Sequence, residues 1–268
     1  MTHCPICNHA MNEIFQETIL NKYKISYFRC EECGFIQTEK PYWLDEAYSD
    51  AIAKADTGIV MRNIKQAGQM AGLILDQFDA KANYIDVAGG YGLLTRLMRD
   101  FGFNYYWDDP YCQNLVSRGF EADQCKEEIC ALSAFEVLEH VYDPIQFLVD
   151  QFKKYNCKTI VFSTLLYEGS NAPDKSWWYY TFNTGQHVSL YHRKTFEKIS
   201  NVMNLNFYTL NGLHILTEKK LNINLLTWFR TLQTAPLNLF FNRIKNGSKT
   251  LSDHQNLLNE RCEKYNGK

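Results

Sequence analysis

The stretch YIDVAGGYG, Tyr84 to Gly92, decides the fold. A β-type run ends in a glycine turn, and LLTRLMRDFG follows as an amphipathic helix that stops at Gly102. Strand, loop and helix in this order can hold a nucleotide, because glycines let backbone approach the ligand and the helix begins beside it. Ala88 stands where such a loop usually has its first glycine. The stretch is therefore either a cofactor cradle or a strand that merely ends in a turn.

The flanks favour the cradle. FNYYWDDPY reads as a second strand ending in Asp108 and Asp109, with Pro110 as terminator. Asp109 lies 23 residues after Asp86, where a doubly wound fold places an acid to accept from both ribose hydroxyls. CALSAFEVLEHVYDPIQFL, residues 130–148, reads as strand, acidic turn and a helix resumed at Asp143-Pro144. KTIVFSTLLY is another buried strand, ending near Thr164. Alternation across residues 82–166 predicts an α/β fold, a doubly wound, mostly parallel sheet with helices on both faces. Upstream, residues 41–80 read as helical, with Met61, Ile64, Met70, Leu73, Ile74 and Phe78 as a core-packing stripe.

Four of the nine cysteines are paired in sequence: Cys4 and Cys7 in CPIC, Cys30 and Cys33 in CEEC. Two residues between thiolates let one tight turn present both sulfurs to a single ion, and two such knuckles complete a tetrahedron around Zn2+. Redox dithiols usually occur singly beside a βαβ unit, so residues 1–40 read as a zinc ribbon with a closed, structural site. A segment this short buries little core, and the metal would supply most of its stability. His3 and His9 are read as surface residues, and Cys112, Cys125, Cys157 and Cys262 receive no metal or catalytic role.

Composition narrows the function. Hydrophobic residues make up 46%, enough for a sizeable core, so disorder is not the default, and the net charge of −2 argues against a chain built chiefly to hold nucleic acid. The ribbon itself carries net charge −1, without the basic face that phosphates need. MTHCPIC opens without a signal peptide, and no apolar run approaches the ~20 residues of a membrane span, so a cytoplasmic location is expected.

DVAGGYG, WDDPY and FEVLEHVYDP resemble the successive motifs of class I S-adenosylmethionine-dependent methyltransferases, whose fold is Rossmann-like. WWYYTFNTGQHVSLYHRKTFEKI is similar to the segment after the fifth strand in a bacterial subgroup. That subgroup carries an N-terminal zinc-ribbon-like domain and often acts in surface-sugar or antibiotic-sugar pathways. The resemblance covers roughly residues 1–217 and implies a small acceptor, a sugar or nucleotide sugar. Matched to the loop pattern D-x-G-x-G-x-G, Asp86, Gly90 and Gly92 agree and Ala88 departs, with Gly89 between them. Asp86 and Gly90 would face the methionine part of S-adenosylmethionine, Asp109 the ribose, and Phe135 and Glu136 would line the cofactor after the fourth strand. The Asp123–Cys125 segment would supply the adenine contact. The Ala88 methyl is absorbed provided φ there is negative.

Methyl transfer to a hydroxyl needs an aligned acceptor and a base. His187 in GQHV and His140 in LEH are the candidates, with Glu139, Tyr180, Tyr191 and His192 as possible neighbours. His140 is weighed against a capping role, and the run Trp177–Tyr180 is either a lid on the core or a stacking surface for a ring. Transfer to oxygen is favoured over carbon, because no device for enolate formation is visible. Competing readings are an RNA methyltransferase, a keto-sugar C-methyltransferase, a NAD-dependent oxidoreductase and a non-enzymatic ribbon scaffold. The first meets an acidic ribbon and lacks N-P-P-Y, and the oxidoreductase lacks G-x-G-x-x-G.

The expected organisation is a ribbon (1–40), a helical connector (41–80), a cofactor domain (81–217) and a helical C-terminal extension (218–268). The extension carries +5 against −7 for the rest of the chain, and LLTWFRTLQTAPLNLFFNRI within it is amphipathic. Packing on the core or a homodimer through it is favoured over a membrane surface.

Overall fold

The computed structural model describes residues 2–48, 56–232 and 236–256. The chain forms two compact units, each assembled from two stretches: Met1–Asp56 with Ala134–Lys220, and Thr57–Ser133 with Leu221–Lys268. The expected segments 1–40, 41–80, 81–217 and 218–268 are shared out between them.

In chain order, strands β1 (Thr2–His3), β2 (Ala10–Ile19), β3 (Tyr23–Cys30) and β4 (Ile36–Thr38) precede helix α1 (Leu44–Ala47). Helix α2 (Ile59–Gln77), strand β5 (Asn83–Val87), helix α3 (Leu93–Asp100) and strands β6 (Asn104–Asp108) and β7 (Ile129–Phe135) follow. Next come α4 (Pro144–Tyr155), β8 (Thr159–Ser163), β9 (Leu166–Tyr167), β10 (Ser189–His192) and α5 (Arg193–Met203). Strands β11 (Asn206–Leu210) and β12 (Leu213–Thr217) and helices α6 (Leu225–Arg230) and α7 (Pro236–Asn246) complete the set.

In the second unit β5 is central, parallel to β6 on one side and to β7 on the other, with Asp86 opposite Trp107 and Ser133. Every residue of β5 is buried, as a parallel strand covered on both faces requires. This is the α/β arrangement that the alternation implied. Helix α2 reaches the core only from Gln66 onward, through Met70, Leu73 and Ile74. Met61 lies one turn too early and is exposed, which corrects its place in the core stripe. Gln69 Nε2 donates to Thr231 O and Arg230 to Leu75 O, so the start of the C-terminal extension packs on α2. A buried bidentate pair ties Arg99 of α3 to Asp253, at 2.9 and 2.8 Å.

In the first unit β2 and β3 form an antiparallel hairpin, bulged between Glu13 and Phe15. The ribbon is not free-standing. β4 pairs antiparallel with β10, and β10 parallel with β9, giving the order β1-β2-β3-β4-β10-β9. Ile19, Tyr27, Trp43, Tyr180 and Leu190 form its core, and the Trp43 indole donates to Gly185 O at 2.8 Å. In the same unit β8, β12 and β11 pair antiparallel in that order.

Candidate functional site

In the second unit the loop after β5 gathers Asp86, Ala88, Gly89, Gly90, Gly92 and Asp109. Asp109 Oδ2 accepts from Gly90 N at 2.9 Å, and its Oδ1 from Tyr111 N and Cys112 N. The strand-end acid therefore closes directly on the glycine loop. Trp107 Nε1 donates to Gly90 O at 2.8 Å and holds the loop from the other strand. A Cβ at Gly89 would stand 2.8 Å from both Asp86 Oδ2 and Trp107 Cδ1, so only glycine fits. Gly92 has φ +88°, and a Cβ there would meet Asn114 Oδ1 at 2.8 Å.

Ala88 has φ +54°. The condition of a negative φ is not met: the chain turns left-handed as it leaves β5, and the alanine adopts the conformation a glycine would take. Asp86 is buried, accepting from Ser133 Oγ at 3.1 Å and Thr95 Oγ1 at 3.3 Å. Burial pushes its carboxyl up to about 7, against the pull of those two hydroxyls. A carboxyl so placed favours a cationic neighbour. Neither Ser133 nor Thr95 was marked by sequence, because single hydroxyls at strand and helix positions carry no pattern.

The Asp123–Cys125 segment, expected at the adenine, also lies in the second unit, and the other predicted residues lie in the first. Phe135 ends β7, and Glu136 follows with φ +54°. Its N–H donates to Ser163 Oγ and Ser163 O at 3.1 and 3.2 Å, and its carboxylate accepts from the Ser163 hydroxyl.

His140 and His187 stand together, ring centroids 4.8 Å apart and edge to face. His187 Nδ1 lies 2.7 Å from Tyr179 O, so Nδ1 carries the proton and Nε2 keeps its lone pair. His140 Nδ1 faces Gln186 O at 3.1 Å and Tyr48 Oη at 2.8 Å. Burial lowers the pKa of both rings. That of His187 falls to about 3, with His140 a second cause, so both are neutral at pH 7. Glu139 is buried beside them and accepts from Tyr179 Oη at 2.6 Å. Nitrogen and carboxylate atoms of Glu139, His140 and His187 lie within 4.8 Å of one another, a set able to hold a cation or to move a proton.

The expected neighbours need correction. Tyr180 Oη donates to Pro173 O, Tyr191 Oη to Leu138 O, and His192 Nδ1 accepts from Lys194 N at the start of α5. These three serve local structure, while Tyr179 and Tyr48 make the contacts to the pair. Within Trp177–Tyr180 both tyrosines are core, Trp178 is exposed, and Trp177 lines a cavity of 590 Å3 with Leu165, Tyr167, Glu168, Asn171 and Pro173.

At the ribbon, Sγ atoms lie 3.7 Å apart for Cys4–Cys33, 3.4 Å for Cys7–Cys30 and 3.7 Å for Cys7–Cys33. A tetrahedron of Zn–S bonds near 2.3 Å has edges of about 3.8 Å. The four sulfurs thus fit one Zn2+. The hydrogen bond between Cys4 and Cys33 pulls the first thiol down to about 5 and pushes the second up, while burial raises Cys7 to about 11. His3 and His9 are exposed, as expected.

Parallel strands with a glycine loop closed by an acid define an α/β fold of the Rossmann-like kind. A family model described as a methyltransferase domain matches residues 61–210, more than half of the chain, and the chain belongs to that family. No curated protein sequence matches it. Similar solved structures include the mitomycin 7-O-methyltransferase MmcR, at 16% identity over 66% of this chain and 60% of that chain, TM-score 0.43. CalO1, a methyltransferase in calicheamicin biosynthesis, is 14% identical over 68% and 64%, TM-score 0.45. Magnesium protoporphyrin IX methyltransferase from Synechocystis PCC 6803 is 11% identical over 65% and 90%, TM-score 0.39. The chain thus spans under two thirds of the length of the first two.

Proposed function

We propose that this chain transfers the methyl group of S-adenosylmethionine to a hydroxyl of a small acceptor, a nucleotide-linked or surface-polysaccharide sugar, in the cytoplasm. The observation that carries the reading is the Asp109–Gly90 contact, which joins the strand-end acid to the loop of a methyltransferase-family chain. Asp109 Oδ2 takes one hydrogen bond, from Gly90 N, and keeps a second lone pair for a ribose hydroxyl, while Oδ1 is taken up by Tyr111 N and Cys112 N. Buried Asp86, ionised beside a cationic sulfonium or ammonium, would favour the positively charged methionine part.

His187 is the proposed base, with His140 held against it. Its free Nε2 lone pair suits proton acceptance. A depressed basicity is no obstacle, because an alcohol oxygen that has just taken a methyl group is cationic and strongly acidic. His140, with Nδ1 held by Tyr48 and Gln186, fixes the pair. The cavity at Trp177 supports a sugar, being lined by that aromatic residue together with Glu168 and Asn171. Zn2+ on Cys4, Cys7, Cys30 and Cys33 would be structural, since four thiolates close its shell.

Calorimetric titration with S-adenosylhomocysteine, with NAD as control, tests the reading. Binding of the former alone, lost in Asp109→Ala, is expected, followed by methylation of a nucleotide sugar that falls about 10²–10⁴-fold in His187→Gln at unchanged cofactor affinity. Saturable NAD binding without S-adenosylhomocysteine binding would overturn it.

A further inference from the structure

Helix α7 carries its apolar residues on the wrong side for a core. Leu237, Phe240, Phe241 and Ile244 recur at i, i+3, i+4 and i+7, hence on one face, and are 55–83% exposed. The opposite face does the packing: Leu239 and Asn242 are buried, and Asn242 Nδ2 donates to Phe101 O at 2.5 Å. At 100° per residue, Arg243 and Lys245 fall on either flank of the apolar stripe, and both are exposed. On α6, Trp228 and Phe229 are also exposed, while Thr227 between them and the preceding turn is buried. The expectation that the extension packs on the core therefore holds for one face only.

We propose that the α6–α7 face docks on an anionic lipid bilayer surface. An exposed apolar stripe flanked by Arg and Lys, with Trp and Phe among its members, is the pattern of an interfacial helix that lies in the headgroup region. Charge decides against a second copy of the same face. Between Leu221 and Asn256 the only acid is Asp253, which is buried and spent on Arg99 and Arg96. Two such faces meeting about a twofold axis would bring Arg243 and Lys245 against their own kind, with no free carboxylate among the described residues of α6, α7 and the segment after them to answer them. An anionic headgroup layer supplies that charge. Residues 221–256 carry Arg230, Arg243, Lys245 and Lys249 against Asp253 alone, a net charge of +3 that an anionic surface attracts. No helix among the described residues is long and apolar enough to cross a membrane, so the contact is peripheral.

The full-length protein is sedimented with vesicles of phosphatidylcholine containing phosphatidylglycerol, and its mass in solution is measured by light scattering. Binding to the anionic vesicles, weaker at high salt, is expected. Arg243→Gln with Lys245→Gln should weaken it about 25-fold, at roughly fivefold per cation. Phe241→Ser with Ile244→Ser should weaken it more than tenfold. All four positions are exposed, so both variants should keep the parent's circular dichroism and melting temperature. Failure to bind anionic vesicles at low salt overturns the proposal. So does salt-independent binding to phosphatidylcholine alone, or a dimer in solution that Phe241→Ser with Ile244→Ser dissociates.

Discussion

Replacing Ala88 with glycine measures the strain of the loop. Ala88 holds φ at +54°, where a residue with a Cβ pays about 1–2 kcal/mol. Glycine avoids that penalty, but the freedom it adds to the unfolded chain offsets about 0.4–1 kcal/mol. The net expectation is a gain of about 0.5–1 kcal/mol, and at about 2–4 °C per kcal/mol a melting temperature higher by about 1–4 °C. Ala88→Val puts a β-branched residue into the same left-handed turn and should lose stability instead. Urea denaturation followed by circular dichroism reads the free energy, with the slope m checked for constancy. S-adenosylhomocysteine affinity should be equal or tighter in A88G, since Gly89, Gly90 and Asp109 keep their contacts. A glycine variant less stable than the parent by more than about 0.5 kcal/mol would refute the reasoning, because it would mean that methyl contacts outweigh the backbone penalty.

Three further outcomes follow from the same structure. Metal analysis should find zinc bound to the ribbon, and Cys33→Ser should lower the melting temperature of the whole first unit, because β4 pairs with β10 and Thr195 Oγ1 donates to Cys33 O at 2.8 Å. Asp86 sits near 7 folded but about 3.9 unfolded, so the native state holds the extra proton between them and stability falls as pH rises from about 4 to 7, by about 4 kcal/mol at most. Asp86→Asn should flatten that slope, and the pH dependence of binding a cationic ligand, whose affinity is lost as pH falls through 7, should go with it. Asp253→Asn leaves the Arg99 guanidinium buried with one charge partner gone and should cost about 3–5 kcal/mol in urea denaturation.

Much of this was legible in the chain. Strand, glycine loop and helix followed from period and punctuation, because β5 is an uninterrupted buried run and α3 begins at Leu93, directly after Gly92. Thiol spacing was equally plain, since two knuckles leave a fixed signature. Residues brought together by tertiary contact were not. Tyr48 reaches His140 across 92 positions, and Tyr179 rather than Tyr180 turns its hydroxyl to Glu139, a difference of one residue that no periodicity records. The sign of φ at Ala88 stayed open for a related reason. Residue type alone makes a negative φ the better guess for alanine, and only the geometry at the end of β5 overrides it.

That override bears on whether the loop is still a working cradle. Ala88 and Glu136 each stand one residue beyond the carboxyl end of a parallel strand, and each holds φ +54° without being glycine. Ligands in open α/β sheets bind beyond the carboxyl ends of strands, and strained backbone persists where surrounding contacts over-determine it. Both residues have such contacts. Around Ala88, Gly89 N donates to Asp108 O, Gly90 N to Asp109 and Trp107 to Gly90 O. Around Glu136, both polar atoms of Ser163 engage its backbone N–H. A scaffold with a decayed site would have no reason to keep a left-handed alanine pinned at three points, since relaxing the turn would gain about 1–2 kcal/mol. The departure from glycine that raised the doubt therefore leaves the loop's shape intact, and that shape supports a cofactor-binding chain over a scaffold.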